Sequence, residues 1–495
     1  MLNDLPLLSL MIATLPIGAA LIWLVPGESR ARWIALVTAL LDLVLGIAVL
    51  AGFDSDRDGF QFVERVEWIA SLNIHYHVGV DGLSVLFLPL TVLLFNAVLL
   101  ASWNSVRTLP RLFYTLLLLL ESATLGIFCA LDTMLFFFFW ELTLVPVFFL
   151  ISLWGIGPHR RYAAVKYTLF MMAGGVPLLF GFLLLAVQAG GGASGIADGL
   201  VFDYPALLEH RLPRPVEGTV FFLLLLGFAV KAPLFPLHTW LPTVAMEGPV
   251  SVTAIMAGLK VGAYGMIRYV VPLAPQAAQE YHWLLAVLGV TALLYGALAA
   301  LAQTNLRRML AFASLSHVGL VVLGIASLNV YGVQGALFQL LNFSIVAGGI
   351  FLLAGFLHHR VGSTDVVGLG GVAGSMPLLA AFFLFFGLAG LGVPGTNGFP
   401  AEFLIIASTL ATHTGAGLAA LAVLVLGAGY LLTLYRQAFL GPVRHAVVEQ
   451  AFDLRGRELL IVLTFAALTL LFGLRPDSVL NITRVAAGAW VEDLR

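Results

Sequence analysis

The sequence predicts an all-α, polytopic membrane protein, on three observations. Hydrophobic residues make up 61% of the 495-residue chain and charged residues 10%, and the mean hydropathy is +1.02, outside the range of soluble domains. Apolar runs long enough to cross a hydrocarbon core of about 30 Å recur along the whole chain. They are far too long for barrel strands, and in lipid the remaining way to satisfy every backbone polar group within a segment is a helix.

With a window of about 19 residues, broken at Gly, Pro and charge clusters, about fourteen spans result. They fall near 4–25, 32–52, 82–103, 111–130, 132–154, 162–188, 217–239, 248–271, 282–301, 309–328, 331–357, 374–410, 416–440 and 457–474. Because such runs continue to the end of the chain, the first is expected to be a span rather than a cleaved signal. Two spans are interrupted. The seventh contains KAPLFPLHTWLP, with Pro233 and Pro236, and the twelfth contains GVPGTNGFPAEF, with Pro394, Gly395, Gly398 and Pro400. Lying five spans apart, they would hold corresponding places if spans four to eight and nine to thirteen were two inverted halves. The division expected is 1–110 for spans one to three, 111–271 for the first repeat, 282–440 for the second, and 441–495 for the last span and tail. Paired interrupted helices point to an ion path, with ordinary proline kinks as the alternative.

Arginines orient the spans. Arg30, Arg32, Arg107, Arg111, Arg160, Arg161, Arg307, Arg308, Arg360, Arg436, Arg444, Arg455 and Arg457 fall after odd-numbered spans, against mainly Arg57, Arg65, Arg211, Arg214 and Arg268 after even ones. The positive-inside rule then makes the odd loops cytoplasmic and puts both termini on the other side. A net charge of −2 excludes a polybasic nucleic-acid binder, and the single cysteine, Cys129, forms no internal disulfide. No Cys/His spacing suggests zinc or an iron–sulfur cluster, so no metal or cofactor is expected in this chain.

The charges inside the spans carry the functional signal. The lysines are Lys166, Lys231 and Lys260, all within predicted spans, whereas the other basic side chains apart from histidine are arginines. A desolvated lysine can release its proton; an arginine stays charged. An ionisable group at mid-membrane costs on the order of 3 kcal/mol on insertion scales and needs a partner or a wet path. Glu141, in FFFFWELTLVP, and Lys231, just before the first break, are expected to pair, either as a switchable pair or as a static packing device. Lys260 is central in span eight, His317 in span ten. Glu402 follows the second break, where it suits either proton transfer or helix capping. For Asp42, Glu121 and Lys166, packing or helix-end roles are expected. A series Glu141, Lys231, Lys260, His317, Glu402 makes chemical sense as a proton relay, and no nucleophile elbow or phosphate loop competes with it.

These residues lie in motifs that resemble, in order, those of the antiporter-like membrane subunits of respiratory complex I. The motifs are HVGVDGLSVLFLPL (77–90), FWELTLVPVFFL (139–150), WGIGPHRRYAAVKYTLF (154–170), KAPLFPLHTWLP (231–242), GLKVGAYGMIRY (258–269), SLSHVG (314–319) and GVPGTNGFPAEF (392–403). The resemblance implies a proton path through the membrane midplane. Glu141 matches the family glutamate of helix five, Lys231 the lysine of broken helix seven and Lys260 the lysine of helix eight. His317 matches a histidine of helix ten, and Glu402 the terminal acid of broken helix twelve, where glutamate marks the M type against lysine in the L and N types.

What the resemblance implies is a proton-translocating membrane-arm subunit of NADH:quinone oxidoreductase in a bacterial inner membrane. It would have no redox site of its own; FMN, iron–sulfur clusters and quinone would sit in partner subunits, and L- and N-type chains would adjoin it in the bilayer. Three places depart from the pattern: Thr243, Val244 and Ala245 replace Asp-Ala-His, Asn305 replaces an aspartate, and Phe343 replaces a helix-eleven histidine. The rivals are a Mrp-type cation/proton antiporter or an inorganic-carbon uptake subunit of the same superfamily, and a haem quinol oxidoreductase, which needs paired axial histidines.

Overall fold

Every predicted run contains helix in the computed structural model, which describes residues 5–191 and 199–494. The first two are α1 (Leu7–Leu24) and α2 (Glu28–Gly52). Between them and α3 (Phe87–Ala101) the chain forms an antiparallel hairpin, β1 (Gln61–Ile69) with β2 (Ile74–Val80), outside the predicted spans. Then follow α4 (Pro110–Cys129), α5 (Thr133–Leu142), α6 (Leu144–Trp154) and α7 (Arg160–Ala189). The short α8 (Tyr204–Glu209) leads to the seventh run, α9 (Arg214–Lys231) and α10 (Trp240–Glu247). The eighth is α11 (Val250–Gly258) and α12 (Val261–Gly265), continued by a π-turn over Met266–Val270.

After α13 (Pro275–Glu280) come α14 (His282–Leu301) and α15 (Leu306–Ala326). The eleventh run is α16 (Val330–Asn342), a π-turn over Phe343–Ala347, and α17 (Gly348–Val361). The twelfth, preceded by α18 (Val372–Ser375), is α19 (Pro377–Gly390) and α20 (Gly398–Thr412). Last come α21 (Thr414–Phe439), α22 (Ala446–Glu449), α23 (Arg457–Leu474) and α24 (Asp477–Glu492). Among the described residues eleven helical runs are long and apolar enough to cross a membrane, and Phe87–Ala101, Pro377–Gly390 and Gly398–Thr412 are shorter apolar helices.

Connections sort onto two faces. Those after odd runs touch one another: Trp154 Nε1 donates to Thr108 O, Arg307 to Gly248 O, and Arg360 to Glu458. Those after even runs do the same: His77 meets Asp203, Glu217 accepts from Gln276 N, and Arg484 meets Asp56. This is the pattern of a chain that crosses at each run, and it brings both chain ends to the hairpin's face. The tail beyond the last run is a helix, α24, on that face; Gln334 Nε2 donates to Leu480 O and Trp490 Nε1 to Ile267 O, at 2.9 and 2.7 Å.

α15 and the run Val330–Val361 form the centre of the bundle, where nearly every residue of their apolar stretches is buried, and α15 carries His317 there. Rows of exposed apolar side chains such as Val44, Phe180, Leu298, Val425 and Leu474 face outward, as lipid contact requires. Two arginines used to orient the spans are buried instead. Arg268 forks onto the Asp81 carboxylate, with Nη1 2.7 Å from Oδ2, and Arg307 donates to Ala245, Met246 and Gly248 carbonyls at the end of α10. A cation on those orphan C-terminal carbonyls complements the helix dipole.

Candidate functional site

The helix breaks build the site. Pro233 and Pro236 have no N–H to continue the i to i−4 ladder, so α9 stops at Lys231 and the chain turns before α10. Trp240 Nε1 donates to Val230 O at 2.9 Å, satisfying one of the carbonyls the break releases. Lys231 ends in a cradle made by a second interruption. Pro146 cannot donate to Leu142 O, and α5 and α6 part at Thr143. There Lys231 Nζ donates to Thr143 Oγ1 at 3.0 Å and to Trp140 O at 3.4 Å, and lies 3.9 Å from the centre of a Trp140 ring.

The expected direct pair of Glu141 with Lys231 does not form. The Glu141 carboxylate lies against Gly175 on α7, half-buried and without a hydrogen bond from the described residues, while the ammonium turns to the kink at Thr143. The two charges are neighbours within one turn of α5 rather than a contact ion pair.

Span eight breaks at the lysine itself, although no proline precedes it: α11 ends at Gly258 and α12 starts at Val261. A Cβ on Gly262 would lie 2.3 Å from Ala232 N, so α12 packs backbone to backbone on the end of α9, which only glycine permits. Lys260 is 5% exposed. Its Nζ donates to Met256 O at 3.3 Å and faces the Phe343 ring at 5.3 Å. A cavity of about 50 Å³ lies between Lys231 and the Met256–Leu259 flank of this break.

Phe343 opens the π-turn of span eleven, and its ring centre is 6.4 Å from that of His317. His317 Nδ1 lies 2.9 Å from Ala313 O and Nε2 lies 2.8 Å from Gly390 O, a carbonyl freed by the second break. Carbonyls only accept, so a neutral imidazole makes one of these bonds at a time and only a protonated one makes both. Glu402 Oε1 is 3.6 Å from Nε2.

Glu402 does not cap α20, as the sequence allowed: it stands in the second turn, 4% exposed, with its carboxylate over Gly392. Pro394 lies in the break between α19 and α20, and Pro400 in the first turn of α20, where its missing N–H is an orphan in any case. The departures from the motif pattern differ in weight. Asn305 still caps α15, accepting from Arg307 N at 3.0 Å, and Thr243 accepts from Lys166 Nζ at 3.1 Å. Phe343 changes the chemistry, because a phenyl ring carries no exchangeable proton.

Asp42 and Glu121 stay apart from this row, on α2 and α4; both are 0% exposed, with all carboxyl oxygens unpartnered among the described residues. Polar residues missed in the sequence reading include Thr143, His238, Ser314, Gln339 and Asn342. Each is a polar side chain inside an apolar run, which was the available signal. Among the described residues no group of three or more His, Cys, Asp or Glu is arranged to hold a metal ion.

Residues 130–427 match the family model described as NADH:quinone oxidoreductase/Mrp antiporter, TM. The chain is 35% identical to the NADH-quinone oxidoreductase subunit M of Rhodobacter capsulatus, over 95% of its own length and 94% of the relative's. Among solved structures it is similar to a chain of the respiratory complex I of Thermus thermophilus with bound NADH, at TM-score 0.89 and 30% identity, covering 99% of this chain and 100% of that one. It shares its fold with a chain of the Mrp complex from a Dietzia species, at TM-score 0.85 and 22% identity, covering 99% of both chains.

Proposed function

Because the chain belongs to the NADH:quinone oxidoreductase/Mrp antiporter transmembrane family, we propose that it is the proton-translocating membrane-arm subunit, of M type, of a respiratory NADH:quinone oxidoreductase. One observation carries this reading: Lys231, Lys260, His317 and Glu402 form a row through an apolar bundle, each beside a helix break. Side chains that cost this much to bury are retained where they handle protons or ions.

In the mechanism, Glu141 stands at the outer edge of the row and senses charge in an adjoining subunit, an L- or N-type chain. Moving negative charge toward or away from Lys231 changes how readily Lys231 holds its proton. A protonated Lys231 repels the charge on Lys260 and favours transfer to His317 and Glu402. NADH oxidation and quinone reduction belong to partner subunits with FMN and iron–sulfur clusters, and this chain supplies no redox site. Spans four to eight and nine to thirteen act as two inverted repeats. The breaks of spans seven and twelve correspond, while the break at Lys260 has no counterpart in the continuous α21. In a bacterial inner membrane the arginine-rich face is cytoplasmic and both termini periplasmic, which reporters fused within 155–161 would read directly.

The test is Glu402→Gln in the complex reconstituted into vesicles. Electron transfer from NADH to quinone continues while protons moved per electron fall. Unchanged pumping overturns the relay, and sodium–proton exchange without any redox partner selects the Mrp-type reading.

A further inference from the structure

Lys231 is held by two neighbours that carry no charge. Thr143 Oγ1 gives its own proton to Trp140 O at 2.8 Å, which leaves only its lone pairs for the ammonium. Lys231 Nζ donates to that hydroxyl oxygen at 3.0 Å and to Trp140 O at 3.4 Å, and the Trp140 ring centre lies 3.9 Å away, within cation–π reach. Thr143 and Trp140 are both buried. Two acceptor oxygens and a π face suit the charged lysine, and they offer no donor to the lone pair of a neutral amine. Lys231 and Thr143 also border the cavity of about 50 Å³ that they share with Met256 and Leu259. Met256 O is the acceptor of Lys260 Nζ, so an ammonium held here stands beside the break that carries Lys260. Glu141 offers a second place. Trp140 O belongs to the peptide group that joins Trp140 to Glu141, yet the Glu141 carboxylate lies against Gly175 and leaves the ammonium to Thr143.

We propose that Thr143 and Trp140 are positioning residues that hold the charged Lys231 away from Glu141 and beside the break of Lys260. The proposal rests on the reading that this row moves protons. Lys231 exchanges between this receptor and the Glu141 carboxylate by rotation of its four-carbon stem, with no helix movement. Held by Thr143 and Trp140, its positive charge favours loss of the Lys260 proton. Drawn to Glu141, it is neutralised by the carboxylate and its effect on Lys260 falls. The exchange is reversible because neither place dominates. Glu141 is half-buried, so a contact pair there is weakened by solvent and by the cost of desolvating both groups. A hydrogen bond to a charged group changes a population by roughly ten- to a hundredfold, so the Thr143 hydroxyl alone can decide which place is filled.

The experiment uses the intact complex and pairs electron cryo-microscopy, which also reports assembly, with proton pumping in vesicles. Thr143→Val keeps the side chain's shape and removes the hydroxyl. Lys231 Nζ then leaves Trp140 and comes within about 4 Å of a Glu141 carboxylate oxygen, and protons per electron fall severalfold. Thr143→Ser keeps the hydroxyl, and with it both the lysine's position and the pumping. Serine lacks the threonine methyl, so a defect of packing alone would appear in this variant instead. Lys231 still at Trp140 in Thr143→Val, a contact pair formed with pumping unchanged, or a loss that Thr143→Ser shares, overturns the positioning role. Wild-type pumping by Lys231→Met overturns the underlying relay instead, so the two failures are distinguishable.

Discussion

Replacing Gly392 by alanine tests whether Glu402 works through its position. Gly392 has φ +67°, and a Cβ built on it lies 2.3 Å from Glu402 Oε2. The left-handed conformation costs an alanine about 1–2 kcal/mol, which a bundle of this size survives. The larger effect is steric. Ordinary contact begins near 3.4 Å, so the carboxylate retreats by about 1 Å in a close-packed interior. Oε1 lies 3.6 Å from His317 Nε2, just beyond a direct hydrogen bond, so a shift of this size resets the spacing of the two groups. A misplacement of about 1 Å costs about a hundredfold in a step that depends on geometry.

Gly392→Ala is therefore expected to assemble and to pass electrons from NADH to quinone, while the proton gradient in vesicles falls as it does in Glu402→Gln. Glu402→Asp in the same chain shortens the side chain by one methylene, clears the added methyl and recovers part of the gradient. A Gly392→Ala complex that pumps like wild type would show that the position of Glu402 does not matter, as would a loss that Glu402→Asp deepens.

Lys231→Arg keeps a cation against Thr143 and Trp140 but with a pKa above about 12, so the deprotonated form is rarer than 1 in roughly 10⁵ at neutral pH; assembly is retained and pumping lost, and wild-type pumping would reduce Lys231 to a packing charge. Asp42→Asn replaces a carboxyl that has no hydrogen-bond partner among the described residues with an uncharged group of similar size, and thermal stability of the purified complex is expected to hold or rise with pumping unchanged. On the hairpin's face, burial alone would raise the Asp203 carboxyl, but the hydrogen bond and charge of His77, 2.6 Å away, and the charge of Arg65 outweigh it and leave it below its usual value. A depressed carboxylate stabilises above its unfolded pKa of about 3.9 and loses that contribution as pH falls through the folded value. Proteolysis of 61–80 in detergent should accordingly rise only in acid below about pH 4, and a rise already at pH 6 would contradict this.

Some properties of this chain need no neighbours and can be read residue by residue. Span lengths follow from the width of a bilayer, and the breaks at Pro233, Pro236 and Pro394 from a missing N–H. The buried ionisable series Glu141, Lys231, Lys260, His317 and Glu402 is visible because a charge in an apolar run is conspicuous wherever the helix lies. Contacts were not legible, because the sequence does not say how far each helix is rotated toward the next. Opposite charges suggested that Glu141 and Lys231 touch; packing sent the ammonium to Thr143 and the carboxylate to Gly175. The break at Lys260 has no proline to announce it, and beside it Gly262 meets the backbone at Ala232. Arg268 read as a loop charge until Asp81, 187 positions away, was brought against it. Phe343 read as a missing relay group; only the folded bundle placed its ring between Lys260 and His317 and left Ser314 and Asn342 with unfilled hydrogen-bonding capacity beside it. Proton transfer depends on distances of a few ångströms between side chains far apart in sequence, and tertiary packing alone sets those distances.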